Sequence, residues 1–171
     1  MPEIPEKKHH TLCCRVEIPS PQTLHLWGDL HVDFCSTGPD PVNIIRSDET
    51  AHVKVRIDFT GCDLARLLCL EWCIKVAFES CGPAPETALP VQKRRQQVCD
   101  EPYIEVTFPI PAGYFSCDPA ECGNVFELCV TAVSFDLCGD PAPFAGYCSG
   151  GTIMVFPAPE RKTKAQATRH V

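Results

Sequence analysis

Cysteine is the residue type in this sequence with the widest range of possible chemistry. The chain of 171 residues contains 13 cysteines, and thiols form disulfides, bind metal ions or act as nucleophiles. Because 13 is odd, full oxidation leaves at least one cysteine without a partner in its own chain. That cysteine is either a free thiol or bonded to another chain. Cys13 and Cys14 are adjacent. Neighbouring strand residues point to opposite faces, so the pair cannot easily serve one site but can serve two partners.

Metal binding is a second possibility for the side chains of this chain. Four loop cysteines with loose spacing could assemble four thiolates around zinc. They are Cys117, Cys122, Cys138 and Cys148. Four residues that share one strand face could offer nitrogen and oxygen ligands, although such a row is more often the solvated face of a strand. They are His25, Asp29, His31 and Asp33.

Motifs that would indicate an enzyme are missing from the sequence. It contains no C-x-x-C pair, no H-E-x-x-H, no glycine-rich phosphate loop and no G-x-S-x-G. We therefore predict a protein that is not an enzyme and that has no cofactor. The net charge of −7 opposes nucleic-acid binding, which depends on Lys and Arg neutralising phosphates. No run of about 18 apolar residues appears, so we expect no membrane insertion.

Alternation of apolar and polar residues at every second position predicts β-strands. The alternating segments are 24–35, 52–59, 68–81, 103–110 and 126–137, followed by a last strand over 152–156. In the fifth segment the phase changes near Ala132, which a β-bulge would explain. The predicted core consists of Val53, Val55, Ile57, Phe59, Trp72, Ile74, Val76, Ile104, Val106, Phe126 and Leu128.

These strands predict an all-β protein, an antiparallel β-sandwich of immunoglobulin-like or jelly-roll type. Residues 1–19 are predicted to form an N-terminal arm, 20–158 the sandwich domain and 159–171 a flexible basic tail. Within the arm, the segment from Leu12 to Ile18 alternates weakly and could itself be a strand, on its own domain or on the edge of another subunit. Segment 82–102 is predicted to be a long surface loop in which a short strand could lie.

Three cysteines lie on outward positions of predicted strands. Cys69 and Cys73 share one strand and would lie about 13 Å apart, too far for a mutual disulfide. In an immunoglobulin-like sandwich, either of them could face Cys129 on the neighbouring strand. Cross-strand disulfides, thiols covered by loops and a metal site remain open for these residues.

The polar arm with its Cys13-Cys14 pair, preceding a cysteine-rich β-sandwich, resembles the subunits of bacterial endospore appendages. In those pili the arm of one subunit reaches neighbouring subunits and is bonded to them by disulfides. The resemblance implies that Cys13 and Cys14 are linkers between copies, with unassigned partner cysteines on the sandwich. It further implies assembly from a cytoplasm without a secretory signal, which agrees with the absence of an apolar stretch at the N-terminus.

The leading functional hypothesis is a structural subunit that assembles with other copies of itself into a disulfide-stabilised filament or surface layer. One alternative is a monomeric immunoglobulin-like binding module whose disulfides are all internal. Another is an intracellular thiol or metal-binding protein with reduced cysteines. The sequence does not determine the location, although its cysteine content favours the cell exterior or a spore surface.

Overall fold

Ten β-strands make up the secondary structure in the described part of the chain, which contains no helix. The computed structural model describes residues 10–16, 28–38, 43–59, 69–96, 102–117 and 123–159, with the backbone alone at 10–16, 28, 29, 143 and 150. The strands are β1 (His10–Val16), β2 (Gly28–Ser36), β3 (Ile44–Arg46), β4 (Ala51–Asp58), β5 (Glu71–Ser80), β6 (Thr87–Ala88), β7 (Gln92–Arg95), β8 (Tyr103–Ile110), β9 (Asn124–Phe135) and β10 (Pro141–Phe156). The all-β prediction is confirmed.

Two sheets contain these strands. A four-stranded sheet has the order β1-β2-β4-β8, and a six-stranded sheet has the order β3-β10-β9-β5-β6, with β7 also paired to β5. Every pairing is antiparallel except that of β3, which runs parallel to β10. The expectation of wholly antiparallel sheets is therefore wrong at this edge, because β3 comes from a short segment that shows no alternation in the sequence.

Period-two alternation of burial explains how the strands form the core. In β4, β5 and β8 the buried residues alternate with more exposed ones along the strand, which is typical of sheets with one face against a core. All eleven predicted core residues are buried, and they belong to one hydrophobic cluster drawn from both sheets. Trp72 packs against Phe59 there, with ring centroids 5.7 Å apart.

The burial pattern of β9 contradicts the predicted change of phase near Ala132. Every even-numbered residue of this strand is buried, whereas Val133 is 39% exposed. Ser134 tolerates burial because its Oγ donates a 2.8 Å hydrogen bond to the carbonyl of Phe144 in β10. The prediction is wrong because Val133 and Phe135 are apolar but lie on the less buried face of the strand.

The irregular positions lie in β10 instead. Its register against β9 shifts between Pro141 and Ala145 and again between Ser149 and Gly151. In both places β10 contributes the additional residues, which is the geometry of a β-bulge. The bulges allow a strand of 16 residues to pair with the shorter β9.

Segment 82–102, predicted as a surface loop in which a short strand could lie, contains two short strands. β6 and β7 both pair with β5 along the same edge, and Pro90 lies between them. Proline lacks a backbone N–H, and edge strands with proline or charged residues resist pairing with other chains. Residues 82–96 thus cover this edge of the six-stranded sheet.

Candidate functional site

The edge strand β1 contains the adjacent cysteines. It ends the strand order of the four-stranded sheet and pairs antiparallel with β2 of the same chain. The weak alternation from Leu12 therefore corresponds to a strand of this sheet. In its register, Cys13 lies opposite His31 and Cys14 lies opposite Leu30. The side chains of both cysteines lie outside the described residues, but their backbone positions assign them to different rows of the sheet.

The row that begins at Cys13 is polar. It continues through His31 on β2 and Arg56 on β4 to Glu105 on β8. Glu105 also forms a 2.8 Å ion pair with Lys54. The hydrogen bond that the Lys54 ammonium group donates to Glu105 raises the pKa of this group above its ordinary value. The Lys54 and Glu105 charges are thus paired with each other within the chain.

A second cluster on the same face also pairs its opposite charges within the chain. The Arg56 guanidinium lies 2.7 Å from the Asp58 carboxylate and 3.9 Å from the centre of the Tyr103 ring. Ion pairs that lie at the protein surface contribute little to stability. Their main effect is to keep this face of the sheet hydrophilic.

The row that begins at Cys14 is apolar and buried. It continues through Leu30 and Ile57 to Ile104, and each of these three side chains is at most 1% exposed. Residues directly opposite each other in an antiparallel pair belong to the same face of the sheet. Cys14 therefore occupies a position on the core face, whereas Cys13 occupies one on the outer face.

Cys148 is the cysteine whose state the structure settles most clearly. It is disulfide-bonded, and it is buried in β10 among the residues of the shared core. The sequence placed it at a turn or strand end, because the long irregular strand β10 has no regular alternation around Gly146 and Gly150. A cysteine already in a disulfide has no thiolate to offer a metal ion.

The structure does not bring the three cross-strand candidates together. Cys129 lies opposite Ala77, whereas Cys73 lies opposite Val133. This offset of four residues corresponds to about 13 Å along the strand, beyond the range of a disulfide. Cys69 precedes β5 and has a positive φ of 49°, so it is not on the strand that was predicted to carry it.

The four zinc candidates are also dispersed. Cys117 lies beside one end of β9, where its thiol donates to the Val155 carbonyl at 3.5 Å and the Asn124 amide donates to its sulfur at 3.6 Å. Cys138 lies in the turn after the other end of β9, on the order of 35 Å away along the strand. Zinc requires sulfur ligands at about 2.3 Å. Cys122 lies outside the described residues.

The candidate histidine and aspartate row is only partly visible. His31 and Asp33 lie on the outer face of β2 opposite Arg56 and Lys54. His25 and the side chain of Asp29 lie outside the described residues. Among the residues that are described, no group of three His, Cys, Asp or Glu side chains could hold a metal ion.

Four of the cysteines that are not in disulfides show how much their surroundings differ. Cys81 and Cys138 are exposed in turns, Cys73 is partly exposed on β5, and Cys129 is buried. The parity of Cys129 predicted an outward thiol. It is covered because the Tyr147 hydroxyl from β10 donates to its sulfur at 3.7 Å, and burial raises the pKa of this thiol above its ordinary value.

No protein-family model and no curated protein matches this chain. Within the residues that the structure describes, no helix has the length and hydrophobicity needed to cross a membrane.

Proposed function

We propose that this protein is a structural subunit that assembles with other copies of itself into a filament or surface layer, and that a disulfide from Cys13 or Cys14 joins the copies. The observation that carries the proposal is the location of both cysteines on an edge strand. An edge strand offers unpaired backbone groups to an incoming chain. A disulfide formed at such an edge makes a modest noncovalent contact durable.

The proposed architecture behind this function is a β-sandwich of immunoglobulin-like or jelly-roll type. Its support is the single hydrophobic cluster to which both sheets contribute. Strands of one sheet also lie against strands of the other, as β1 and β2 lie against β10.

Several other sheet edges are less suited to strand addition. Residues 82–96 cover β5 with Pro90 and the basic strand β7. The edge strand β8 contains Pro109, and its Thr107 carbonyl accepts a 3.0 Å hydrogen bond from the Gln92 side chain. The edge strand β3 has only three residues. These features favour β1 as the edge that meets another copy.

The test compares covalent assembly of the wild-type protein with that of a Cys13→Ser/Cys14→Ser variant. Both are concentrated in a buffer with oxidised glutathione as electron acceptor, and are then separated on a nonreducing denaturing gel. We expect covalent oligomers for the wild type and none for the variant. Cys129→Ala, which removes a buried thiol, is the matched control and should retain the oligomers.

Two results would contradict the proposal. One is a wild-type protein that stays monomeric at high concentration under oxidising conditions, which would favour a monomeric binding module with internal disulfides. The other is an oligomer ladder that is unchanged in the double variant. Electron microscopy of the oxidised sample would distinguish ordered filaments or layers from irregular aggregates.

A further inference from the structure

The bonding partner of Cys148 is restricted to few residues. Cys148 is disulfide-bonded, and the other seven cysteines with described side chains remain thiols rather than disulfides. The chain has 13 cysteines, so the partner belongs to a group of five. They are Cys13, Cys14, Cys62, Cys99 and Cys122.

Two of these five lie on the strand that faces β10. Cα atoms of β1 and β10 approach within 8 Å of one another, closer than the roughly 10 Å between typical packed sheets. A disulfide requires Cα atoms about 4.4–6.8 Å apart. The close approach of the two strands is therefore of the kind that a disulfide between sheets needs.

The register of β1 distinguishes between its two cysteines. Cys148 is 2% exposed and belongs to the core cluster. Cys14 lies in the buried row of Leu30, while Cys13 lies in the polar row of His31. Only a cysteine on the core face can reach a sulfur that is buried between the sheets.

We infer that Cys14 and Cys148 of one chain form a disulfide that joins the two sheets, and that Cys13 alone remains available to a second copy. The role of Cys13 rests on the proposed function, whereas the bond between Cys14 and Cys148 does not. Forming this bond converts two thiols into one Sγ–Sγ bond. A small-molecule disulfide accepts the two electrons and two protons and is reduced to two thiols. The bond fastens the edge strand β1 to its own subunit.

Peptide mapping of the monomer tests the intramolecular bond directly. The monomer band is isolated under denaturing, nonreducing conditions, its thiols are alkylated with iodoacetamide, and it is cut with trypsin and with a protease that cleaves before aspartate. Residues 9–15 then form one fragment, and residues 140–161 form another whose single cysteine is Cys148. We expect these two fragments to be joined, and reductant to separate them.

Single variants identify which of the adjacent cysteines is bonded. In Cys13→Ser the joined fragments should persist, and the alkylated monomer should carry one group fewer than the wild type. In Cys14→Ser the joined fragments should disappear, and Cys148 should become alkylated, so that the monomer carries one group more. If Cys14→Ser does not fold, Cys148→Ala tests the same bond, because it releases the Cys14 thiol, which should then become alkylated.

The outcomes separate this inference from the proposed function. A Cys148 fragment joined to one that contains Cys62, Cys99 or Cys122 overturns the inference, as does a bond found only in dimers. In assembly under oxidised glutathione, Cys13→Ser should lose covalent oligomers and Cys14→Ser should retain them. If the wild type forms no oligomers although the monomer map shows the bond, the proposed function fails and the intramolecular bond stands.

Discussion

The surroundings of each thiol decide its chemistry in this chain. Cys81 and Cys138 lie in exposed turns, whereas Cys129 is 5% exposed and its sulfur accepts a hydrogen bond from the Tyr147 hydroxyl. The nucleophile in thiol chemistry is the thiolate, so both burial and a raised pKa slow alkylation and oxidation. The structure therefore contains both exposed thiols, at Cys81 and Cys138, and a buried thiol, at Cys129.

Alkylation of the native protein should show this contrast. At mildly alkaline pH and without denaturant, we expect iodoacetamide to modify Cys81 and Cys138 rapidly and Cys129 much more slowly, as measured by mass spectrometry of peptides over time. Tyr147→Ala should accelerate modification of Cys129, because the substitution uncovers the sulfur and removes the hydroxyl that donates to it. Tyr103→Ala, at an exposed tyrosine on the other sheet, is the control and should leave the rate unchanged.

The raised pKa of Cys129 also has a defined effect on stability against pH. Burial favours the neutral thiol, so the folded protein keeps this proton at alkaline pH where the unfolded chain releases it. The stabilising contribution is fully present below the ordinary thiol pKa of about 8.5 and decreases as the pH rises above it. Equal modification rates for Cys129 and Cys138 in the native protein would contradict this picture.

At the level of the strand, β9 offers a matched pair of valines. Val130 is fully buried and Val133 is 39% exposed. We expect Val130→Ala to lower the free energy of unfolding by about 2 kcal/mol through lost apolar burial and a residual cavity. Val133→Ala should change it by less than about 0.5 kcal/mol. Urea denaturation of both variants measures the difference, and comparable losses would indicate that the strand changes phase after all.

Much of the strand architecture could be predicted from the sequence, because a half-buried strand imposes period two on its side chains. The segments of β4, β5 and β8 followed this rule, and their core residues were correctly identified. The parity of β9 beyond Ala132 could not be predicted, because it depends on Ser134 finding the Phe144 carbonyl on another strand. The parallel strand β3 was missed because its three residues are too few to show a period.

Of the candidate site, only the opposite orientation of the two adjacent cysteines could be predicted from the sequence. That Cys13 and Cys14 face opposite ways follows from strand geometry alone, and the register of β1 agrees with it. The separation of Cys73 from Cys129 could not be predicted, because the register between β5 and β9 is a tertiary property. The disulfide of Cys148 likewise could not be predicted, since the spacing of cysteines in the sequence does not determine which of them pair.

At the scale of the whole molecule, symmetry constrains how the proposed subunit can assemble. A bond between Cys13 residues of two copies would be a two-fold contact, and such a contact closes as a dimer. A filament requires Cys13 to meet a different surface of the next copy, so that the contact repeats without closing. Exposed thiols for such a contact exist at Cys81 and Cys138, which lie near opposite ends of the six-stranded sheet.

Reduction should lower the thermal stability of the monomer because the disulfide at Cys148 joins residues distant in the sequence. In the loop-entropy account, a native disulfide of this kind contributes about 2–5 kcal/mol. For a chain of this size, that loss corresponds to a fall in Tm of about 5–15 °C. The measurement is a thermal melt of isolated monomer with and without reductant, with complete reduction checked by mass.

Cys148→Ala, which lacks the bond in both conditions, should show a much smaller difference. A wild-type Tm that is unchanged after complete reduction would contradict a stabilising role for the bond, and an equal fall in Cys148→Ala would assign the effect to other cysteines.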